Sequence, residues 1–218
     1  ELAQNANNCF GMKKSLSGNT WSGSTWDGKS VYTKKTQEDD GTGKHYTITA
    51  DFRKYPDPAC SVLVDAISDY YNVDRNKIFV GVGSDDVLSM AFLTFFGSDK
   101  PIVFPDITYS FYDVWADLYR IPYRQIPLKE DFTIDINEYF GNNGGVVIAN
   151  PNAPTGIGLE PDAIEEIIKN NPDVVVIVDE AYVDFGGVSA LPLIDKYDNL
   201  LVVQTFSKSR SLAGMRIG

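Results

Sequence analysis

Two apolar runs near the end of the chain restrict its fold more tightly than anything else in the sequence. Val174 to Val178 is an unbroken β-branched run that stops at two acids, Asp179 and Glu180. Leu200 to Gln204 repeats the pattern and hands over to Thr205, Ser207, Lys208 and, further on, Arg216. A run with no polar alternation fits a strand covered on both faces, the kind a parallel sheet needs. Ligands of open α/β sheets sit outside the carboxyl ends of the strands. Two neighbouring strand ends of this kind bring an acid, an amine, hydroxyls and a guanidinium to one place. That set suits an anionic, phosphorylated, carbonyl-bearing cofactor.

Upstream, the pattern alternates between strand and helix. A helix is predicted with Leu63, Ala66, Ile67, Tyr70 and Tyr71 on one face, then a short strand over Lys77–Val80. Gly81-Val82-Gly83 leads to Ser84, the expected N-cap of a helix carrying Leu88, Ala91, Phe92 and Phe95. A glycine-containing turn that opens a helix leaves backbone N–H groups free for a phosphate. Ile102–Phe104 reads as the next strand, followed by a helix with Phe111, Val114, Trp115 and Leu118 and a short strand at Pro122–Ile126. Val146–Ala149 reads as a strand ending in NPNAPTG (150–156), a fixed turn given its prolines, asparagines and glycine. Pro161 opens a helix whose core face is Ile164, Ile167 and Ile168. Such alternation with short connections predicts an α/β fold, a doubly wound, mainly parallel sheet over residues 51–218.

Residues 1–50 differ in texture. They are rich in Gly, Ser, Thr and charge, with β-prone pieces at Ser30–Tyr32 and Tyr46–Ile48. Turn signals at Asp27-Gly28 and Asp40-Gly41 predict hairpins or an irregular arm. Trp21 and Trp26 are candidates for stacking on a ligand, against the plainer reading that they anchor a small β element.

The totals exclude several classes. The 218 residues are 43% hydrophobic and carry a net charge of -11 with a pI near 4.5, which argues for a real core and against nucleic acid or anionic membrane as partners. His45 is the only histidine, so neither a histidine-based metal site nor a serine triad can be built. Cys9 and Cys60 lie far apart and read as free thiols of a reducing compartment. No run has the length of a membrane span, and the first residues lack the basic start and apolar core of a signal peptide, so a cytoplasmic protein is expected.

Pyridoxal phosphate is an aromatic aldehyde with a ring nitrogen and a phosphate. It requires a lysine for a Schiff base, a carboxylate to keep the ring nitrogen protonated, and hydroxyls, a cation and helix N-termini for its phosphate. Lys208 is the candidate amine, Asp179 the ring-nitrogen partner, and Arg216 with Ser207 the phosphate ligands.

NPNAPTG, VDEAYVDF and TFSKSRSLAGMRIG, in this order, resemble the fold type I pyridoxal-phosphate aminotransferases, and in particular the histidinol-phosphate aminotransferase family. RKYPDP (53–58), VGVGSDD (80–86) and DITYSFY (106–112) match it too. The resemblance implies that Lys208 holds the cofactor and moves the substrate's Cα proton, that Asp179 pairs with the ring nitrogen, and that Tyr182 hydrogen-bonds the ring hydroxyl. Tyr109 would stack on the ring. Ser84 and Asp85 would offer backbone N–H groups to the phosphate, with Thr205, Ser207 and Arg216 completing the cup. Tyr55 would reach the phosphate of the neighbouring subunit, implying a homodimer. The implied reaction exchanges an amino group between histidinol phosphate and 2-oxoglutarate.

The pattern departs from the family at three places. The asparagine expected immediately before PTG is Ala153 here, leaving either Asn152 to take over part of the ring-hydroxyl contact or Tyr182 to carry it alone. Residues 1–50 do not show the family's usual arm. The chain ends directly after the phosphate arginine, so the small domain that clamps the substrate carboxylate is expected to be absent. Two further readings share the same motifs: a pyridoxal-phosphate decarboxylase or lyase acting on a compound such as threonine phosphate, and a truncated, non-catalytic domain.

Overall fold

The apolar runs form a five-stranded sheet in which every neighbouring pair is parallel. The computed structural model describes residue 55, residues 57–218, and the backbone of four strands before them. By packing, the chain divides into two units, residues 1–79 and 80–218.

In the first unit β1 (Lys13–Ser17) pairs antiparallel with β2 (Thr20–Ser24), and β3 (Ser30–Lys35) with β4 (His45–Ala50). The Asp40-Gly41 signal falls between β3 and β4; that turn, the Asp27-Gly28 turn, Trp26 and the Trp21 side chain lie outside the described residues. Helix α1 spans Ser61–Tyr71. Its entry is braced by Asp57, whose carboxylate accepts from the Ala59 and Ser61 amides at 3.0 and 2.8 Å. Val64 is its buried side chain, whereas Tyr70, expected on the core face, is exposed.

The strand expected over Lys77–Val80 is not there. Asp74 accepts a hydrogen bond from the Asn76 amide at 2.8 Å and closes a single 3-10 turn over Arg75–Lys77. A short polar residue that bonds the backbone two positions on competes with the extended conformation.

The second unit contains β5 (Ile102–Pro105), β6 (Tyr123–Ile126), β7 (Gly145–Ala149), β8 (Val176–Asp179) and β9 (Leu200–Val203), in the spatial order β6-β5-β7-β8-β9. From β5 the chain steps one way to β6, then crosses to the other side for β7, β8 and β9. The order therefore reverses between β5 and β7, the position at which such sheets bind ligands.

Alternate residues of each strand serve opposite faces, as the two-residue period of a strand requires. Phe104, Val147, Ile177 and Val203 pack with α2 (Ser84–Phe95) and α3 (Tyr112–Tyr119). Val103, Val146, Ile148, Val176 and Val178 pack on the other face with α4 (Pro161–Lys169), whose Ile164, Ile167 and Ile168 are buried as expected. The same parity puts Asp179 on the α2–α3 side of the sheet.

Three helical expectations change. The apolar stripe of α3 is Tyr112, Trp115 and Ala116, while Phe111, Val114 and Leu118 are exposed. Two overlapping i, i+3, i+4 stripes compete on this short helix, and the one containing Tyr112 faces the sheet. On α2, Leu88, Ala91 and Phe92 are buried but Phe95 is half-exposed. Ser84 is the first residue of α2; Gly83, at φ +90°, occupies the capping position instead.

Candidate active site

A cleft of about 210 Å³ opens above the carboxyl ends of the strands. Four separate stretches meet there. The loop after β5 brings Tyr109, the end of β8 brings Asp179 and Tyr182, the loop after β9 brings Ser207, Lys208 and Arg216, and the start of α2 brings Ser84 and Asp85. Register explains the convergence: Asp179 stands beside Ala149 of β7 and Val203 of β9, so three strands end level with one another.

Asp179 is only 5% exposed, yet both carboxylate oxygens have donors. Tyr112 donates its hydroxyl to Oδ2 at 2.8 Å and the Ala181 amide donates to Oδ1 at 3.1 Å. Burial pushes the carboxyl up to about 6, and the two hydrogen bonds oppose that rise. At neutral pH it is mostly ionised, ready to pair with a cation. Glu180, the adjacent acid, points elsewhere: it accepts from the Ala190 amide at 2.6 Å, Ser189 Oγ at 2.7 Å and Gln204 Nε2 at 2.9 Å. It ties β8 to β9 and to the loop beyond, so only the first acid serves the cleft.

The amine of Lys208 lies 5.0 Å from the centroid of the Tyr182 ring. A cation over an aromatic face is held there electrostatically. The loop carrying it folds on itself, with Ser211 N donating to Lys208 O at 2.9 Å and Leu212 N to Phe206 O at 2.9 Å.

The other end of the cleft gathers groups that suit an anion, Ser84 at the start of α2 and Arg216. The N-terminal N–H groups of α2 open there, acting with the helix dipole. Arg216 lies so close to Gly83 that a Cβ on that glycine would stand 2.8 Å from Nη2. Asp85 sits between two groups, accepting from the Tyr109 hydroxyl at 2.8 Å and facing Arg216 Nη2 at 3.9 Å. Burial and the Asp85 carboxylate both raise the Tyr109 phenol, keeping it protonated.

Two of the expected residues, Thr205 and Asn152, take other places. Thr205 is buried; its Oγ1 accepts from the Ser207 amide at 3.2 Å and donates to Ile217 O at 3.4 Å, so it braces the loop beneath the cleft. Asn152 does not line the cleft. Its Oδ1 accepts from Thr108 at 2.7 Å and its Nδ2 donates to Ile107 O at 2.9 Å, which consumes the amide in joining the loops after β5 and β7. The neighbour Ala153 lines the cleft instead. Tyr55, expected at the neighbouring subunit's site, is exposed. Tyr112, which holds Asp179, had no role in the sequence reading; its only trace there was its position as the last residue of DITYSFY.

Comparison with known proteins gives the chain a family. The family model "Aminotransferase class I and II" matches residues 30–218. Curated histidinol-phosphate aminotransferases from Lactococcus lactis subsp. cremoris and Clostridium botulinum are 57% and 58% identical over 166 and 168 residues. These matches cover 76% and 77% of this chain but 47% and 48% of the relatives, so the chain spans about half their length. The crystal structure of histidinol-phosphate aminotransferase from Sinorhizobium meliloti in complex with pyridoxal-5'-phosphate superposes with a TM-score of 0.69 at 25% identity, covering 76% of this chain and 47% of that one. L-threonine-O-3-phosphate decarboxylase from Porphyromonas gingivalis gives a TM-score of 0.67 at 27% identity, covering 76% of this chain and 53% of that one. With a match over most of its length, this chain belongs to the class I and II aminotransferases.

Proposed function

We propose that the chain binds pyridoxal phosphate in this cleft and takes part in transamination between L-histidinol phosphate and 2-oxoglutarate, giving imidazole-acetol phosphate and glutamate. The observation that carries the reading is the placement of Lys208 and the buried Asp179 at adjacent strand ends, with Arg216 against the start of α2. The donor set fits the cofactor: an amine for its aldehyde, a buried carboxylate for its ring nitrogen, and a guanidinium with helix N–H groups for its phosphate. When bound, the cofactor supplies an electron sink for the substrate's Cα electrons.

Each side chain then has a task of its own. Lys208 Nζ takes the proton from the substrate's Cα and later returns one, as a general base placed by geometry. Asp179 holds the positive ring nitrogen. The Tyr182 hydroxyl serves the ring hydroxyl, and Tyr109 covers a ring face. Arg216, the Ser207 hydroxyl and the amides of Ser84 and Asp85 hold the phosphate, with Arg216 able to meet two oxygens at once. Asn152 and Thr205 act one layer out, by bracing the loops. The reading includes a cytoplasmic homodimer in which Tyr55 of the partner subunit completes the phosphate site.

The substrate assignment rests on curated relatives at 57–58% identity that bear this one name. Incubation of the cofactor-loaded chain with L-histidinol phosphate and 2-oxoglutarate tests it. Formation of glutamate and imidazole-acetol phosphate is expected. Release of CO₂ from L-threonine-O-3-phosphate, with no glutamate from histidinol phosphate, would overturn it.

A further inference from the structure

We propose that Tyr112 is the positioning residue of Asp179: its hydroxyl holds one carboxylate oxygen so that the group faces the cleft in a single orientation, ionised, toward the ring nitrogen of bound pyridoxal phosphate. The inference rests on the cofactor reading above and deepens it.

The two side chains are 67 positions apart in sequence and both are buried, with Tyr112 fully so. Their hydrogen bond of 2.8 Å joins the first residue of α3 to the last residue of β8. A tyrosine serving only as a core aromatic needs some acceptor for its hydroxyl. Here that acceptor is the one buried carboxylate of the cleft, although the sheet end is rich in carbonyls. The Ala181 amide takes the other oxygen, so the carboxylate plane is fixed from two sides. Tyr112 also meets the Tyr109 ring edge-on with centroids 5.6 Å apart. One side chain therefore abuts both the group proposed for the ring nitrogen and the group proposed for the ring face.

The charged surroundings make the hydroxyl matter. Asp85 on α2 and the neighbouring Glu180 both oppose ionisation of Asp179, as does burial, while Tyr112 and the Ala181 amide favour it. Tyr109 and Tyr182 are the other titratable phenols of the cleft, and Lys208 and Arg216 its cations. Deleting one hydrogen bond to a buried carboxylate removes part of what offsets burial, and the group's titration midpoint then moves up by about one unit.

Tyr112→Phe isolates the hydroxyl, because the ring contacts with Phe92, Phe104, Tyr109 and Trp115 stay. Carbon-13 carboxyl NMR of the cofactor-free chain reads Asp179 directly. The midpoint is expected to rise from about 6 by about one unit in the variant. Pyridoxal phosphate titrations should then show affinity falling about five-fold at pH 6, as the ionised fraction drops from about one half to about one tenth, with little change at pH 8. A second measurement needs no variant: in the unaltered chain the Tyr112 ring Cζ signal should step at the same pH as the Asp179 carboxyl. An unmoved midpoint in Tyr112→Phe, or no Tyr112 step in the parent, would overturn the proposal. If neither chain binds pyridoxal phosphate but both NMR results appear, the cofactor reading fails and the coupling of Tyr112 to Asp179 stands.

Discussion

The guanidinium of Arg216 occupies the space that a side chain on Gly83 would fill, 2.8 Å from the Cβ position. Gly83 is also at φ +90°, a conformation costly for any other residue. Two independent constraints thus require glycine at the entrance to α2. Gly83→Ala is expected to cost about 1–3 kcal/mol of stability from backbone strain. Because Arg216 is the flexible partner, it will give way, and the loss will fall on anion binding. Thermal melts and pyridoxal phosphate titrations check this, with affinity expected to drop about ten-fold or more for loss of a charge-assisted pair.

Asp85 contributes a negative charge at a site proposed for a phosphate. Its carboxylate faces Arg216 at 3.9 Å and accepts from Tyr109. In Asp85→Asn the amide oxygen can still accept from Tyr109, but the charge is gone. Inorganic phosphate, used as a competitor of pyridoxal phosphate, should bind a few-fold more tightly to the variant at low salt, with the gain shrinking as salt screens the site. Weaker binding would mean that the Asp85 side chain orders the site more than its charge opposes it.

Asp179 links function to pH-dependent stability. Its carboxyl is raised from 3.8 to about 6 by burial. Between those values the folded chain holds more protons at this position than the unfolded chain, so stability falls as pH rises through the window. The cost of keeping it ionised at pH 8 is about 3 kcal/mol in the cofactor-free chain. Asp179→Asn removes that cost and loses one of two hydrogen bonds, worth about 1 kcal/mol. Urea denaturation should therefore show the variant more stable at pH 8 and less stable at pH 4, while cofactor binding collapses. Equal destabilisation at both pH values would contradict the assigned cause.

Glu180 has a different role despite its adjacency. It is buried and receives three donors, from Ser189, Ala190 and Gln204. Glu180→Ala leaves buried donors unsatisfied and should destabilise the chain by about 2–4 kcal/mol in a denaturation experiment.

Much of this site was legible because its residues follow apolar runs. Val174–Val178 and Leu200–Gln204 announce strands, and in a parallel sheet whatever follows a strand stands at the ligand-binding edge. Asp179, Tyr182, Ser207 and Lys208 are recovered from that rule together with the motif resemblance. Legibility fails where the deciding term is tertiary. On α3 two apolar stripes have equal local merit, and the hydrogen bond from Tyr112 to Asp179, made across 67 residues, belongs to one of them. Asn152 carries the chemistry expected of a cofactor ligand, yet Thr108 and Ile107 claim its amide first. Ser84 has the side chain of an N-cap, but Gly83 takes that position because only glycine admits both the backbone angle and Arg216.

Lys208 carries the chemistry in the proposed function, so it is also where the test is most direct. The chain is titrated with pyridoxal phosphate, reduced with borohydride and mapped by peptide mass spectrometry, with Lys208→Ala as the control. A visible absorbance band that saturates, a label on Lys208 and the loss of both in the control are predicted. A folded chain that gives no band, or one labelled at other lysines to the same extent with Lys208 present or absent, would contradict a cofactor site in this cleft.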